Sequence, residues 1–306
     1  MKTLILTAIR CSLVFIVPTV TYATSAQWDL DPISGAWNTD ANWTPTEVPN
    51  GPADVATFGL SNTTDVSISA NTEVNGITFT AAATNPYTVT ASSGLTLTIS
   101  GVGIVNNSGI APNFVTVAGG EIRFTNKATG GSNVSISNDG GTTNFFDHAT
   151  ATGIIGNESG SVQFVNRSTA GSATIFGQSG DGGSVSFSDS SSAGSARINF
   201  SGGILYHITF DGHSTADSAT LSSGEEGSVE FFDHSSAGNA TIVAFLNPFG
   251  GVGVEFSGSS TADRATIEGR ASGIFFSGLS KGGTAAIRLF EGFLEDLGSS
   301  LSYKRS

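Results

Sequence analysis

The chain has 306 residues, a formal net charge of −13, and charged residues at only 12 % of its positions, about half the usual share. Phenylalanine stands at 21 and apolar residues recur along the whole length, which excludes a disordered polar chain. The acidity argues against nucleic acid or anionic lipid as a partner, because both need a basic surface.

In chain order the first element is an export signal, expected over residues 1–26. Lys2 and Arg10 supply positive charge, and Cys11 to Val20 is apolar except for Ser12, Pro18 and Thr19. Small residues then permit cleavage after Ala23 or Ala26. The apolar run is too short for a membrane span, which needs about 20 residues. Arg10 directly before Cys11 argues against a lipoprotein. Cleavage removes the one cysteine together with Lys2, Arg10 and no acid, taking the net charge from −13 to −15. No later 18-residue apolar run occurs, so no transmembrane helix is expected after the signal.

Residues 27–119 are expected to form an N-terminal cap and the first irregular β coils. They open with Trp28, Trp37 and Trp43, turn at Pro49-Asn50-Gly51-Pro52, and then alternate as strands around Val66–Ile68, Val74–Phe79, Tyr87–Thr90 and Leu95–Ile99.

From 120 to 289 one phrase recurs. Phe164 begins FVNRSTAGSATI, Phe187 begins FSDSSSAGSARI, Phe210 begins FDGHSTADSATL, Phe231 begins FFDHSSAGNATI and Phe256 begins FSGSSTADRATI. Weaker copies start at Phe124, Phe145 and Phe276, so successive anchors lie 21, 19, 23, 23, 21, 25 and 20 residues apart. Each anchor ends an alternating segment such as Val185-x-Phe187, which puts Val and Phe on one face of a strand. A turn of Asn, Asp, Gly and Ser follows, and then a second alternation such as Ala196-x-Ile198.

A unit of this size cannot bury its apolar face alone, whereas stacking equivalent units buries it. The reading is all-β: a parallel β-helix of coils about 22 residues long, with anchor phenylalanines stacked about 4.8 Å apart, the strand spacing. A β-propeller needs blades of about 40 residues, and a β-sandwich would not repeat its side chains coil by coil. The tail, 290–306, breaks the phrase; it is read as a capping helix or as the end of a shortened reading frame.

Gly35-Ala36-Trp37-Asn38, Asn42-Trp43, Pro49, Asp54 and Ala56-Thr57-Phe58 resemble the start of bacterial autotransporter passenger domains. So do Val74–Phe79, Leu95–Gly109 and the later repeats. The resemblance implies a β-helix displayed at, or shed from, a bacterial surface. The translocating membrane barrel that normally follows a passenger is not found within the 306 residues.

Candidate chemistry is sparse. Gly177-Gln178-Ser179-Gly180-Asp181 partly matches a serine-protease motif but has Gln before the serine, so it reads as a loop. Asp147-His148, Gly212-His213 and Asp233-His234 share one turn position with Asn166 and Asp189. Such a column could hold zinc, yet Arg167 and Ser190 interrupt it, and turn chemistry accounts for Asp, Asn and Gly there. Gly180-Asp181-Gly182-Gly183 is a single fragment of a calcium-roll pattern, which needs tandem copies. Thr78/Thr80, Thr88/Thr90 and Thr96/Thr98 do not continue at the coil period as an ice-binding face would. The adjacent acids Glu225-Glu226 and Glu295-Asp296 suggest no carboxylate cluster.

The expectation is therefore a secreted or surface-held, monomeric protein with a structural or adhesive role. It has no catalytic, cofactor-binding or metal residue, and its partner is a surface or matrix ligand such as a glycan. A secreted carbohydrate-active β-helix is the alternative. Export makes a direct prediction: N-terminal sequencing of secreted protein should find a start between Thr24 and Gln27, and a start at Met1 would defeat the reading.

Overall fold

The repeat phrase folds into a sequence of short walls because its apolar residues alternate within each strand and its corners carry residues that tolerate unusual backbone angles. The structure, a computed structural model, describes residues 24–92, 94–177, 182–200, 206–245, 252–291 and 293–297. The export segment up to residue 23, and Ser179 with its neighbours 178–181, lie outside the described residues. Among the described residues, apart from one 3₁₀ turn at Asp40–Asn42, the regular structure consists of strands and bridges joined by turns, and it winds a parallel β-solenoid of about ten turns with a repeat near 23 residues.

Two walls are continuous sheets, of fourteen and eleven strands. The first contains each Val-x-Phe strand, for example Ser184–Phe187, paired in parallel with Ser161–Phe164 on one side and His207–Phe210 on the other. The second contains the strands that follow the alanines, for example Arg197–Phe200 between Thr174–Gly177 and Thr220–Ser222. A third wall is a ladder of single-residue bridges running Gly103, Thr129, Thr150, Thr169, Ser192, Thr215, Ser236, Thr261 and Lys281.

Inside, Phe124, Phe145, Phe164, Phe187, Phe210, Phe231, Phe256 and Phe276 form an unbroken stack. Neighbouring ring centroids are 4.7 to 4.9 Å apart and the planes agree within 4 to 9°. All eight rings are fully buried, as the strand spacing required. Alanines 170, 193, 216, 237 and 262, together with 173, 196, 219, 240 and 265, are also completely enclosed; each pair flanks one tight turn, closed by a bond such as Ala173 N–H to the Ala170 carbonyl at 3.0 Å, where small side chains suit the packed interior.

The corner after each anchor explains the Asn/Asp/Gly column. Asn126, Asp147, Asn166, Asp189, Gly212, Asp233, Gly258 and Gly278 all have φ between 51 and 67°, the left-handed region that only Gly, Asn and Asp enter readily. Side chains tie these corners between coils. Asn126 N–H donates to the Asp147 carboxylate at 2.9 Å, Asp147 N–H to the Asn166 side-chain oxygen at 3.2 Å, and Asn166 N–H to Asp189 at 3.0 Å. Two residues on, Ser168, Ser191, Ser214, Ser260 and Ser280 turn hydroxyls inward with no hydrogen-bond partner among the described residues. Ala128 and Ala149 fill that position in the first two repeat coils, so the site selects for smallness rather than for the hydroxyl.

The cap closes the apolar end that a first coil would leave open. Trp28, Trp37 and Trp43 are buried around Phe58, with ring centroids 5.0 to 6.0 Å apart. Each indole N–H finds a backbone carbonyl, on Thr63, Pro49 and Trp37 respectively, which satisfies the one polar atom of a buried tryptophan. Tyr87 packs on Phe58 and donates to the Gly59 carbonyl at 2.8 Å; burial pushes its phenol up to about 12.

In the early coils one long strand runs through the corner. Thr96–Asn106 pairs its first half with Glu121–Phe124, setting Ile99 beside Phe124, while Gly103 starts the third wall beside Thr129. Gly103 has φ +99°, and a Cβ there would lie 2.3 Å from the Thr129 backbone, so only glycine lets the two coils meet. A buried amide network then crosses the first full coils: Asn138 Oδ1 accepts from Thr116 and Thr143 at 2.8 and 2.7 Å, and its Nδ2 donates to Asn157 and to the Ser161 carbonyl.

At the far end the break at Phe290 does not begin a helix. Phe293–Leu297 is a further parallel strand beside Gly273–Ser277, so the tail's first residues extend the wall.

The phenylalanine stack yields the stability test. Phe210→Ala should cost about 3 to 5 kcal/mol, transfer plus cavity, and the damage should be local because each coil contacts only its neighbours. Limited proteolysis should cut near residues 200–220 while other coils stay protected, and Asp211→Ala, on the exposed corner, should change stability by no more than about 0.5 kcal/mol.

Candidate functional site

Outward positions carry whatever chemistry the coil presents, and two rows of them are described in turn. The first lies on the fourteen-stranded wall, between Val and Phe. Reading one residue before each anchor gives Arg123, Asn144, Gln163, Ser186, Thr209, Glu230, Glu255 and Phe275, all in parallel register. It begins with an ion pair, Arg123 to Glu121 at 2.9 Å. Burial works to raise the Glu121 carboxyl, but hydrogen bonds from Arg123 and Asn144 outweigh it and hold the group below its usual range.

Near its far end the row carries Glu230 and Glu255, with His207 and Ser228 paired two positions earlier on the same strands as Thr209 and Glu230. Ser228 Oγ lies 2.7 Å from His207 Nδ1 and donates to Glu230 Oε1 at 2.6 Å. Nδ1 to Oε1 is 3.7 Å, so the histidine meets the carboxylate as a charge and through the serine hydroxyl. The Glu230 carboxylate, as hydrogen-bonding partner and as charge, raises the His207 pKa against the opposing effect of burial. His207 in turn lowers Glu230, again against burial. Glu255, the residue facing Glu230 on the next strand, moves up through burial and then through the Glu230 charge. Ser228 is 4 % exposed with its proton directed at a carboxylate, so it is not presented as a nucleophile. The sequence reading looked for acids adjacent in the chain and missed this pair. Reading the residue before each phenylalanine as a column is the signal that finds it.

The second row is the corner column flagged from the sequence. Lys127, His148 and Arg167 occupy one position on three successive coils and are exposed. Backbone bonds fix their register, His148 N–H to the Asn126 carbonyl and Arg167 N–H to the Asp147 carbonyl, both 2.8 Å. A groove of about 580 Å³ runs across Asn126, Lys127, Asp147, His148, Asn166 and Arg167. Higher in the column the His213 and His234 rings stack at 5.1 Å with planes 6° apart. Beside them a hydrogen bond with Asp211, and its charge, raise the Asp233 carboxyl. The fold therefore separates His148 from the other two histidines by the coils of Phe164 and Phe187. No three His, Cys, Asp or Glu side chains are grouped to hold a metal among the described residues. Among those residues, too, no helix is long and apolar enough to cross a membrane.

No family model matches the chain, and neither a curated protein nor a solved structure matches it. The assignment of fold thus rests on strand pairing and the aromatic stack themselves.

The His207–Glu230 pair predicts a pH window. A raised histidine contributes stability that is complete below its ordinary 6.5 and is lost as pH climbs through the folded value. A lowered glutamate contributes stability present above its ordinary 4.5 and lost as pH falls through the folded value. The pair should therefore support the coil most between about pH 4.5 and 6.5. NMR titration of His207 should give a midpoint above 6.5 that Glu230→Gln moves downward; an unchanged midpoint would show the pair is not coupled.

Proposed function

We propose that the protein is an exported, passenger-like β-solenoid that serves at a bacterial surface as a structural or adhesive element rather than as an enzyme. The observation that carries this reading is the uniform parallel coil, whose outward positions are mostly short polar side chains repeated at strand spacing. Extended solenoids use such continuous surfaces for binding. The passenger resemblance of the Trp-containing start and the export signal supply the compartment, and loss of Cys11 with the signal suits a chain passed unfolded through a membrane pore.

One observation favours a second reading, a carbohydrate-active coil. Glu230 and Glu255 stand on neighbouring strands, about 4.8 Å apart by the sheet spacing, and carboxyl groups of retaining glycosidases are about 5 to 5.5 Å apart. Their pKa values move in opposite directions, the pattern that divides an acid from a base. They lie on an open wall, where little would shield a reaction from water, and this places the adhesive reading first.

Two measurements test the assignment. Antibody against the coil should label intact producing cells or the culture medium; labelling only after permeabilisation would overturn surface display. Purified protein should leave a panel of neutral and acidic polysaccharides uncut. Reproducible cleavage abolished by Glu230→Gln or Glu255→Gln would replace the adhesive reading with the enzymatic one.

A further inference from the structure

The corner row of Lys127, His148 and Arg167 stands out against the rest of the molecule. The chain has 12 Lys and Arg in 306 residues and a net charge of −13, and between Arg10 and Arg123 there is neither Lys nor Arg. Two of those cations and one of four histidines nevertheless fall on the same position of three consecutive coils. The backbone at this corner demands Asn, Asp or Gly at the preceding residue, where φ is 56, 56 and 62° for Asn126, Asp147 and Asn166. It demands nothing of the next residue, which is exposed on these three coils and becomes Ser190, His213, His234, Ser259 and Leu279 on the others. Folding therefore does not explain the cations.

Neither do ion pairs. Arg123 and Arg270 are each paired with a glutamate two residues away, whereas Lys127 and Arg167 make no salt bridge among the described residues. The one acid inside the row, Asp147, has an oxygen held by the Asn126 N–H, and the Asn166 side-chain amide is held by Asp189 at 3.0 Å. The row keeps a positive surplus with its corner amides already committed, and the groove of about 580 Å³ lies open in front of it.

We propose that this row binds a linear anionic polysaccharide, a chain bearing a carboxylate or sulfate on successive sugars, laid along the solenoid axis. The inference rests on the adhesive reading and names its ligand class. Geometry supports a linear polymer: the cationic positions repeat with the coils, whose stacked rings are 4.7 and 4.9 Å apart at this point. The row thus spans roughly 10 Å, the length of a short run of sugars and longer than one small anion. Charge supports a short, local contact. At physiological salt, fields are screened beyond about 8 Å, so an anion in the groove feels Lys127 and Arg167, offset in part by Asp147 and by Asp189 beside Asn166, more than the distant acids. Nucleic acid fits poorly, because strong phosphate binding draws on about 6 to 10 contacts. An anionic membrane fits poorly as well, because it recruits clusters of about 4 to 8 Lys and Arg. Three contacts give weak binding at one site, and a polymer offering many copies of the epitope to a surface covered in this protein multiplies it.

The test uses the full mature chain over immobilised polygalacturonate, dextran sulfate and neutral dextran. Binding to at least one of the two polyanions and not to neutral dextran is expected, fading by about 1 M salt, where the screening length is roughly 3 Å. Polygalacturonate alone would assign a carboxylate ligand and dextran sulfate alone a sulfate ligand; either supports the row. The double variant Lys127→Gln, Arg167→Gln should bind about tenfold more weakly, a change of about 1.4 kcal/mol. Lys281→Gln with Arg288→Gln, exposed cations several coils away, should bind as the parent does. The proposal is overturned by a Lys127/Arg167 variant that binds undiminished, by equal binding to neutral dextran, or by binding confined to a DNA oligonucleotide or to phosphatidylserine vesicles. Adhesion to intact cells that the double variant retains would sink the row and leave the adhesive reading standing; absence of binding to cells and to both polyanions would sink both.

Discussion

The rest of the structure depends on a coincidence of two lengths. Parallel strands repeat at about 4.8 Å, and flat aromatic rings sit favourably, slightly offset, at centroid separations from about 4.5 Å. One phenylalanine per coil therefore satisfies sheet pairing and ring packing together, as the 4.7 to 4.9 Å stack from Phe124 to Phe276 does. A one-residue slip in any coil would turn its ring to solvent and its polar residue inward. The stack thus acts as a register for the whole solenoid. From Phe164 onward the second-wall strand begins ten residues after each anchor, whatever the total coil length. Variation in length falls after that strand, outside the stack of anchor rings.

The same register converts local backbone demands into columns that imitate active sites. A left-handed corner accepts Asn, Asp or Gly, and stacking coils places these carboxylates and amides one above another, hydrogen-bonded to the N–H of the coil below. Acids aligned in this way arise from φ near 55° and not from a ligand. Histidines at the following position are free of that demand. His213 and His234 meet only because they lie on consecutive coils, and His148 stays apart from them.

Freedom from backbone demand is therefore the criterion for reading function in such a molecule. Inward positions answer to packing: the enclosed alanines are sized by the corners, and the partnerless buried serines share their column with Ala128 and Ala149. Corner residues answer to φ. What remains are the outward positions of the walls and the exposed corner residues, and it is there that Glu230, Glu255, His207, Lys127 and Arg167 lie. Their arrangement is set by the rigid scaffold, since each is carried on backbone that is hydrogen-bonded to both neighbouring coils.

The sequence by itself determined the solenoid, its period and its stacked phenylalanines, because alternation and repeat length are local properties written into every copy of the phrase. It also determined the role of Trp28, Trp37 and Trp43, since an open first coil needs an apolar cover. Only the tertiary structure decided which side chains become neighbours across coils. Glu230 and Glu255 are 25 residues apart, and their adjacency depends on the alignment of two anchors through a segment of variable length. The third wall of single-residue bridges was equally hidden: its Thr or Ser recurs in each copy of the phrase, as at Thr169, Ser192 and Thr215, but one paired residue per coil gives no alternation that marks a strand. The strand at Phe293–Leu297 arises the same way: its own residues break the phrase, and the open edge of Gly273–Ser277 supplies the hydrogen bonds that make it a strand.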